Sequence, residues 1–197
     1  MSSGYNDPGG ISYGTYQYAT NTGDAAKFVA SPEFKPWAHE FANLKPGTSE
    51  FGSKWRSVAE RSPAAFLNAQ YAFMERSHYL PVVKEVFRKT GFDLDNASNA
   101  IRNVTWSVSV QHGGAAVIID AAIRRTDNAM PRTNYSYERL LIDNIYDQRS
   151  AYMAVLRDKA VARNKIGKAM TFQSIINNRY PSERRDAQAM LRAERLP

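Results

Sequence analysis

Cysteine is absent from the 197-residue chain. Without a thiol there can be no disulfide framework, no thiolate metal site and no cysteine nucleophile. Histidine is scarce: His39, His78 and His112 lie far apart, with no His-x-x-x-His pair and no carboxylate at ligand spacing. That spacing argues against a zinc hydrolase or a structural metal. Long apolar runs are also missing. The strongest, residues 115–123, contains Asp120 and is too short to cross a bilayer. The chain opens without a basic and then apolar leader, so no secretory signal is expected. A protein made in the cytoplasm in this way acts elsewhere only after delivery or lysis. Phosphate-cradling glycine loops and a Gly-x-Ser-x-Gly nucleophile elbow do not occur, so no cofactor is expected.

What is present is globular. Hydrophobic residues make up 43% and charged residues 23%, near the averages for folded domains. The length suits one domain with a sizeable core, and the expectation is a single domain over residues 1–197. The net charge of +7 is uneven: residues 1–100 balance, whereas residues 151–197 carry +6. Such a face suits a solvated helix surface, but also nucleic acid, an anionic membrane or an anionic wall polymer. Arg157, Lys159, Arg163, Lys165 and Lys168 could follow a phosphate backbone, although no nucleic-acid-binding motif accompanies them.

Residues 1–23 differ from the rest, with five glycines, four tyrosines and no basic residue. The segment from Ile11 to Tyr18 is β-branched and aromatic and predicts a short strand or hairpin. Residues 24–197 predict helices. Ser31-Pro32 and Ser62-Pro63 each place a capping residue before a first-turn proline. From Ser62, Phe66, Leu67, Tyr71, Phe73 and Met74 keep helical spacing, and a new helix starts at Pro81 and stops at Gly91. Residues 96–112 predict a buried helix despite strand-like alternation around Trp106. Residues 115–125 read as a central helix, Ser136 opens another, a basic helix covers about 150–164, and Ser182 caps a last one. The fold class is mostly α: a helical bundle with a small N-terminal β element.

The chemically informative segment is Asp7-Pro8-Gly9-Gly10-Ile11-Ser12-Tyr13-Gly14-Thr15-Tyr16-Gln17. Glycines permit left-handed backbone and close approach of a ligand. A carboxylate and a hydroxyl five positions apart on such a turn can hold and deprotonate a water. That is the base half of an inverting glycosidase, whose acid is a second carboxyl about 6.5–9.5 Å away. The same residues also suit a plain glycine-rich hairpin whose Asp caps a turn.

This segment, with Thr22-Gly23 and Phe28, resembles the active-site region of lysozyme-like domains of phage proteins and type VI secretion cell-wall effectors. Two more blocks resemble the same domains in order along the chain: residues 106–113, and Arg179-Tyr180-x-x-Glu183. The resemblance implies a helical fold with a cleft beside the β element and hydrolysis of β-1,4 glycosidic bonds in peptidoglycan strands. It implies Asp7 as the carboxylate that activates water and Ser12 as the hydroxyl that holds it. Tyr13, Tyr16 and Gln17 would line the sugar cleft. Gln111 and His112 would sit at its floor, or would tie the core helix to the β element. Partners of that kind of domain include a phage tail or secretion spike protein and an immunity or inhibitor protein.

In those domains the general acid is a glutamate on a helix before the Asp-Pro-Gly-Gly turn, whereas residues 1–6 contain none. Glu75, set in an apolar helix, is the stand-in by environment, because burial raises a carboxyl toward the range of an acid. Its alternative role is an ion pair with a basic neighbour. Three readings follow: a wall hydrolase, a glycan-binding or structural module on the same scaffold, and a nucleic-acid-binding protein.

Overall fold

The computed structural model describes residues 10–196, of which most are helical. Their contacts fall into two compact units, one up to Ser77 and one from His78. The first begins with a hairpin of two-residue strands, β1 (Ser12–Tyr13) and β2 (Tyr18–Ala19), paired antiparallel with Ser12 opposite Ala19 and Tyr13 opposite Tyr18. It continues through α1 (Asp24–Val29), a 3₁₀ helix (Pro32–Phe41), α2 (Ser49–Arg61) and α3 (Pro63–Met74). The mostly α fold with a small β element is as the sequence predicts.

The first unit is held by aromatic rings. Phe28 lies at their centre, with ring centroids 4.8 Å from Tyr18, 5.2 Å from Phe34, 5.3 Å from Phe73 and 5.7 Å from Trp55. Trp55 in turn meets Phe66 at 4.9 Å and Tyr13 at 5.3 Å. Rings bury large areas, and their edge-to-face pairs add roughly 0.5–1.5 kcal/mol each beyond area. Seven buried phenylalanine and tryptophan side chains between Phe28 and Phe66 replace the aliphatic core usual for a unit of this size.

The second unit starts inside a π-helical turn (Glu75–Tyr79) and holds α4 (Leu80–Thr90), α5 (Asn99–Gln111), α6 (Ala115–Asp127), α7 (Tyr137–Ala162), α8 (Ile166–Ser174), a second π turn (Ile175–Arg179) and α9 (Tyr180–Glu194). Ser98 caps α5 by accepting from the Ile101 amide, and Gly91 ends α4 with φ +65°. Its core is aliphatic, with Val86, Leu94, Ile101, Val108, Ile119, Ile123, Leu141 and Ile145 fully out of water.

Four local expectations need correction. The segment after Ser31 is 3₁₀, and Pro36 lies inside it, where its ring would clash with the carbonyl four residues back in an α-helix. The helix opened by Ser136 and the basic helix merge into one 26-residue α7. The last helix starts at Tyr180 and runs on from the preceding π turn, so Ser182 lies inside it and caps nothing. Helix α6 is not buried all round, since Val117 is 64% exposed on the stripe shared with Asp120 and Arg124.

Candidate functional site

The β1–β2 hairpin is fixed by two left-handed glycines. Gly10 has φ +72° and Gly14 has φ +71°. A Cβ at Gly14 would lie 2.1 Å from Gln70 Oε1 and 3.1 Å from Trp55 Cζ2. Gln70 is the reason for that closeness. This residue of α3 is 4% exposed, and its Oε1 accepts from the Thr15 amide at 3.0 Å while its Nε2 donates to Phe66 O at 3.2 Å. Tyr18 completes the clamp by donating from its hydroxyl to Gln70 O at 3.0 Å. The hairpin is thus bolted to α3 through one amide side chain that sequence reasoning did not single out. A lone Gln among apolar helix positions was the available signal.

Gly14→Ala is expected to destabilise the protein by about 3 kcal/mol, from left-handed strain and the lost Gln70–Thr15 hydrogen bond. Gly23→Ala is the control, because Gly23 has φ +78° and nothing within 4 Å of its Cβ position. Urea unfolding of both variants checks this. Equal losses would show that the Gln70 contact carries nothing.

The structure sorts the expected sugar-cleft residues. Tyr13 is not a cleft residue: it is 0% exposed, packed edge-on against Phe51 at 4.9 Å, and its hydroxyl accepts from the Gly47 amide at 3.0 Å. It sits opposite Tyr18 in the register, and the aromatic core takes both rings. Ser12 is buried at the start of β1. Tyr16 is half-buried and Gln17, at φ +52°, is exposed at the turn. Burial, and next the adjacent Tyr71 phenol, hold the Tyr16 hydroxyl above its ordinary range. Asp7 lies outside the described residues.

Beside the hairpin, α3 offers an exposed stripe. Leu67 and Tyr71 are each 46% exposed. Glu75 follows four residues after Tyr71, at the first position of the π turn, so the three share one side of the helix. Glu75 is half-buried, and among the described residues no hydrogen bond or ion pair engages its carboxylate. The expected ion pair with a neighbour does not form because Arg76 turns to Glu33, donating from Nε at 2.6 Å and from Nη2 at 3.0 Å. Those bonds, working against burial, hold the Glu33 carboxyl down at about 2. Glu40 is likewise engaged, by Arg61 at 2.6 Å and Lys54 at 3.4 Å. The stripe of Leu67 and Tyr71 therefore ends at a carboxyl that no cation among the described residues neutralises.

Gln111 and His112 belong to the second unit, in a polar cluster of its core. Arg149, 0% exposed, donates from Nη1 to Glu183 Oε2 at 3.0 Å and from Nη2 to Ser107 Oγ at 3.1 Å and to Gln111 Oε1. Its guanidinium lies 4.4 Å from the Tyr180 ring centre and 4.9 Å from that of Tyr146. Tyr180 Oη is 3.1 Å from Gln111 Oε1 and 2.9 Å from His112 Nε2. The second and third sequence blocks are thus joined around an arginine that neither block contains.

Burial, and then the charges of Arg149 and Arg179, push the His112 imidazole down to about 4. Burial raises the Glu183 carboxyl, but the Arg179 bond and the Arg149 charge outweigh it and hold it below its ordinary range. Both groups take up protons more readily in the unfolded chain. Stability is therefore complete above about pH 6.5 and is lost as pH falls toward 4, with His112 contributing up to about 3 kcal/mol. Urea unfolding across that window should show the loss, and His112→Asn should flatten it. An unchanged slope in that variant would contradict the assignment.

Among the described residues, no group of three or more His, Cys, Asp or Glu is placed to hold a metal ion. No helix among them is long and apolar enough to cross a membrane.

Comparison with known proteins relates the chain to type VI secretion spike proteins. Residues 1–171 match the family model described as type VI secretion system spike protein VgrG3-like, C-terminal. The chain is also similar to the type VI secretion system spike protein VgrG3 of Vibrio cholerae serotype O1, with 30% identity over 171 residues. That alignment covers 84% of the chain but 16% of the Vibrio protein, so the chain spans a small part of that relative's length.

Proposed function

The chain belongs to the VgrG3-like C-terminal family of type VI secretion spike proteins, and from that premise we propose that it is a lysozyme-like hydrolase of peptidoglycan. The observation that carries the reading is the glycine-fixed hairpin lying against α3, whose outward stripe ends in the Glu75 carboxyl, unpaired among the described residues. Ser12 opens that hairpin, and Asp7 lies five positions before it in the sequence.

In this reading a glycan strand lies along Tyr16, Gln17 and Tyr71, with sugar faces on the rings. Ser12 holds a water and Asp7 takes its proton as the oxygen attacks the anomeric carbon. Glu75 gives its proton to the departing glycosidic oxygen. One water is consumed, the configuration inverts, and the two carboxyl groups exchange protonation states before the next turnover. Secretion as part of a spike would bring the chain to a wall, and an immunity protein would guard the producer.

Purified sacculi test this. The wild-type chain is expected to clear a sacculus suspension, and Asp7→Asn to leave it turbid. Saturable binding of glycan by the wild-type chain without clearing would overturn hydrolysis and leave a glycan-binding module.

A further inference from the structure

The turn between α7 and α8 gathers cations that the proposed hydrolysis does not use. Helix α7 ends in a Schellman turn: Lys165 N donates to Ala160 O at 2.8 Å, Asn164 N donates to Val161 O at 2.9 Å, and Asn164 takes φ +54°. The reversal leaves a cavity of about 180 Å³ lined by Lys159, Arg163, Lys165 and Lys168, with Leu156 and Phe172 among its apolar walls. No carboxylate lines it. Among the described residues none of the four cations is in an ion pair, in contrast to Arg157, which pairs with Asp158 at 2.8 Å. Lys168 Nζ lies 5.6 Å from the centre of the Phe172 ring.

Four like charges converging on one concavity repel one another and gain only when an anion enters. A second feature selects the kind of anion. The ends of the same two helices expose Val161 at 52%, Ile166 at 50% and Met170 at 68%. On α8, Ile166 and Met170 are four apart and form one stripe, and Lys165, Lys168 and Phe172 form another. A phosphate polymer in water gains nothing from an apolar rim. A bilayer surface engages both, taking the cations at headgroup level and the apolar side chains among the upper acyl carbons.

We propose that the α7–α8 turn is a docking site for anionic phospholipid headgroups. It holds the protein at a membrane face.

The full chain is to be co-sedimented with vesicles of phosphatidylcholine containing about one-third phosphatidylglycerol, and with pure phosphatidylcholine. Binding is expected to the first and not to the second. Each charge near such a surface is worth about 1 kcal/mol, or about fivefold, so Lys165→Ala with Lys168→Ala should weaken binding about 25-fold. Ile166→Ser with Met170→Ser should weaken it at least several-fold at unchanged charge. All four side chains are exposed, and unchanged circular dichroism confirms that the variants fold. Equal binding to both vesicles, an Ile166/Met170 variant that binds like wild type, or tighter binding to DNA or polyphosphate than to the anionic vesicles would each overturn the proposal.

Discussion

Replacing Arg149 by alanine is expected to lower the free energy of unfolding by about 3–5 kcal/mol, the range for removing one partner of a buried ion pair. The side chain is fully buried, and its Nε has no partner among the described residues, so the guanidinium is already incompletely solvated by protein. What it supplies is compensation for others. Without it Glu183 keeps only Arg179 as a cation, Ser107 loses its charged donor, and Gln111 retains Tyr180 alone. The Tyr146 and Tyr180 rings also lose the flat group they flank. Lysine is a poor substitute, because one ammonium cannot reach three acceptors in a plane and lie between two rings. A double change, Arg149→Met with Glu183→Gln, should recover part of the loss, since it removes the stranded carboxylate as well. Urea unfolding of the single and double variants measures this. A loss below 1 kcal/mol for Arg149→Ala would mean that the cluster adds little to the fold.

The second large effect concerns turnover. Glu75→Gln is expected to reduce the rate of wall cleavage by roughly 10²–10⁴-fold, the usual contribution of a general acid. Glutamine keeps the shape and has no proton to give. The position is exposed enough, and free enough of hydrogen bonds among the described residues, that the fold should be unaffected. Asp7→Asn should fall by a similar factor through loss of the base. Glu33→Gln is the contrast, since its carboxylate is bound to Arg76 and held well below the range of an acid at neutral pH. Unfolding should detect that change and the cleavage rate should not. Full activity in Glu75→Gln would remove it from the mechanism.

Much of the fold could be read from periodicity. Helix α5 formed although residues 104–110 alternate like a strand, because its flanks are helical and Ala100, Ile101, Val104 and Val108 enter the core of the second unit. The glycine segment became a hairpin for the reason its composition gives, namely positive φ at Gly10 and Gly14. What failed was the assignment of faces. The resemblance implies Tyr13 in the sugar cleft, yet it lies in the core, whereas Tyr71, one of the helically spaced positions after Ser62, is the exposed ring. An aromatic residue suits either setting. The decision came from a residue 57 positions after Tyr13: Gln70, by accepting from Thr15, draws β1 onto α3 and commits Tyr13 to the core. Arg149 escaped notice because an arginine in a long amphipathic helix looks like any solvated one, and only the meeting of α5, α7 and α9 buries it.

The most direct test of the account is the chemistry of the bond broken. Sacculi are first reduced with borohydride so that no reducing sugar ends remain, then incubated with the wild-type chain, and new reducing ends are counted in the soluble fraction. The account predicts reducing ends that rise with time and with enzyme and are absent with Asp7→Asn. Intact sacculi, or soluble fragments carrying free peptide termini and no new reducing ends, would contradict it.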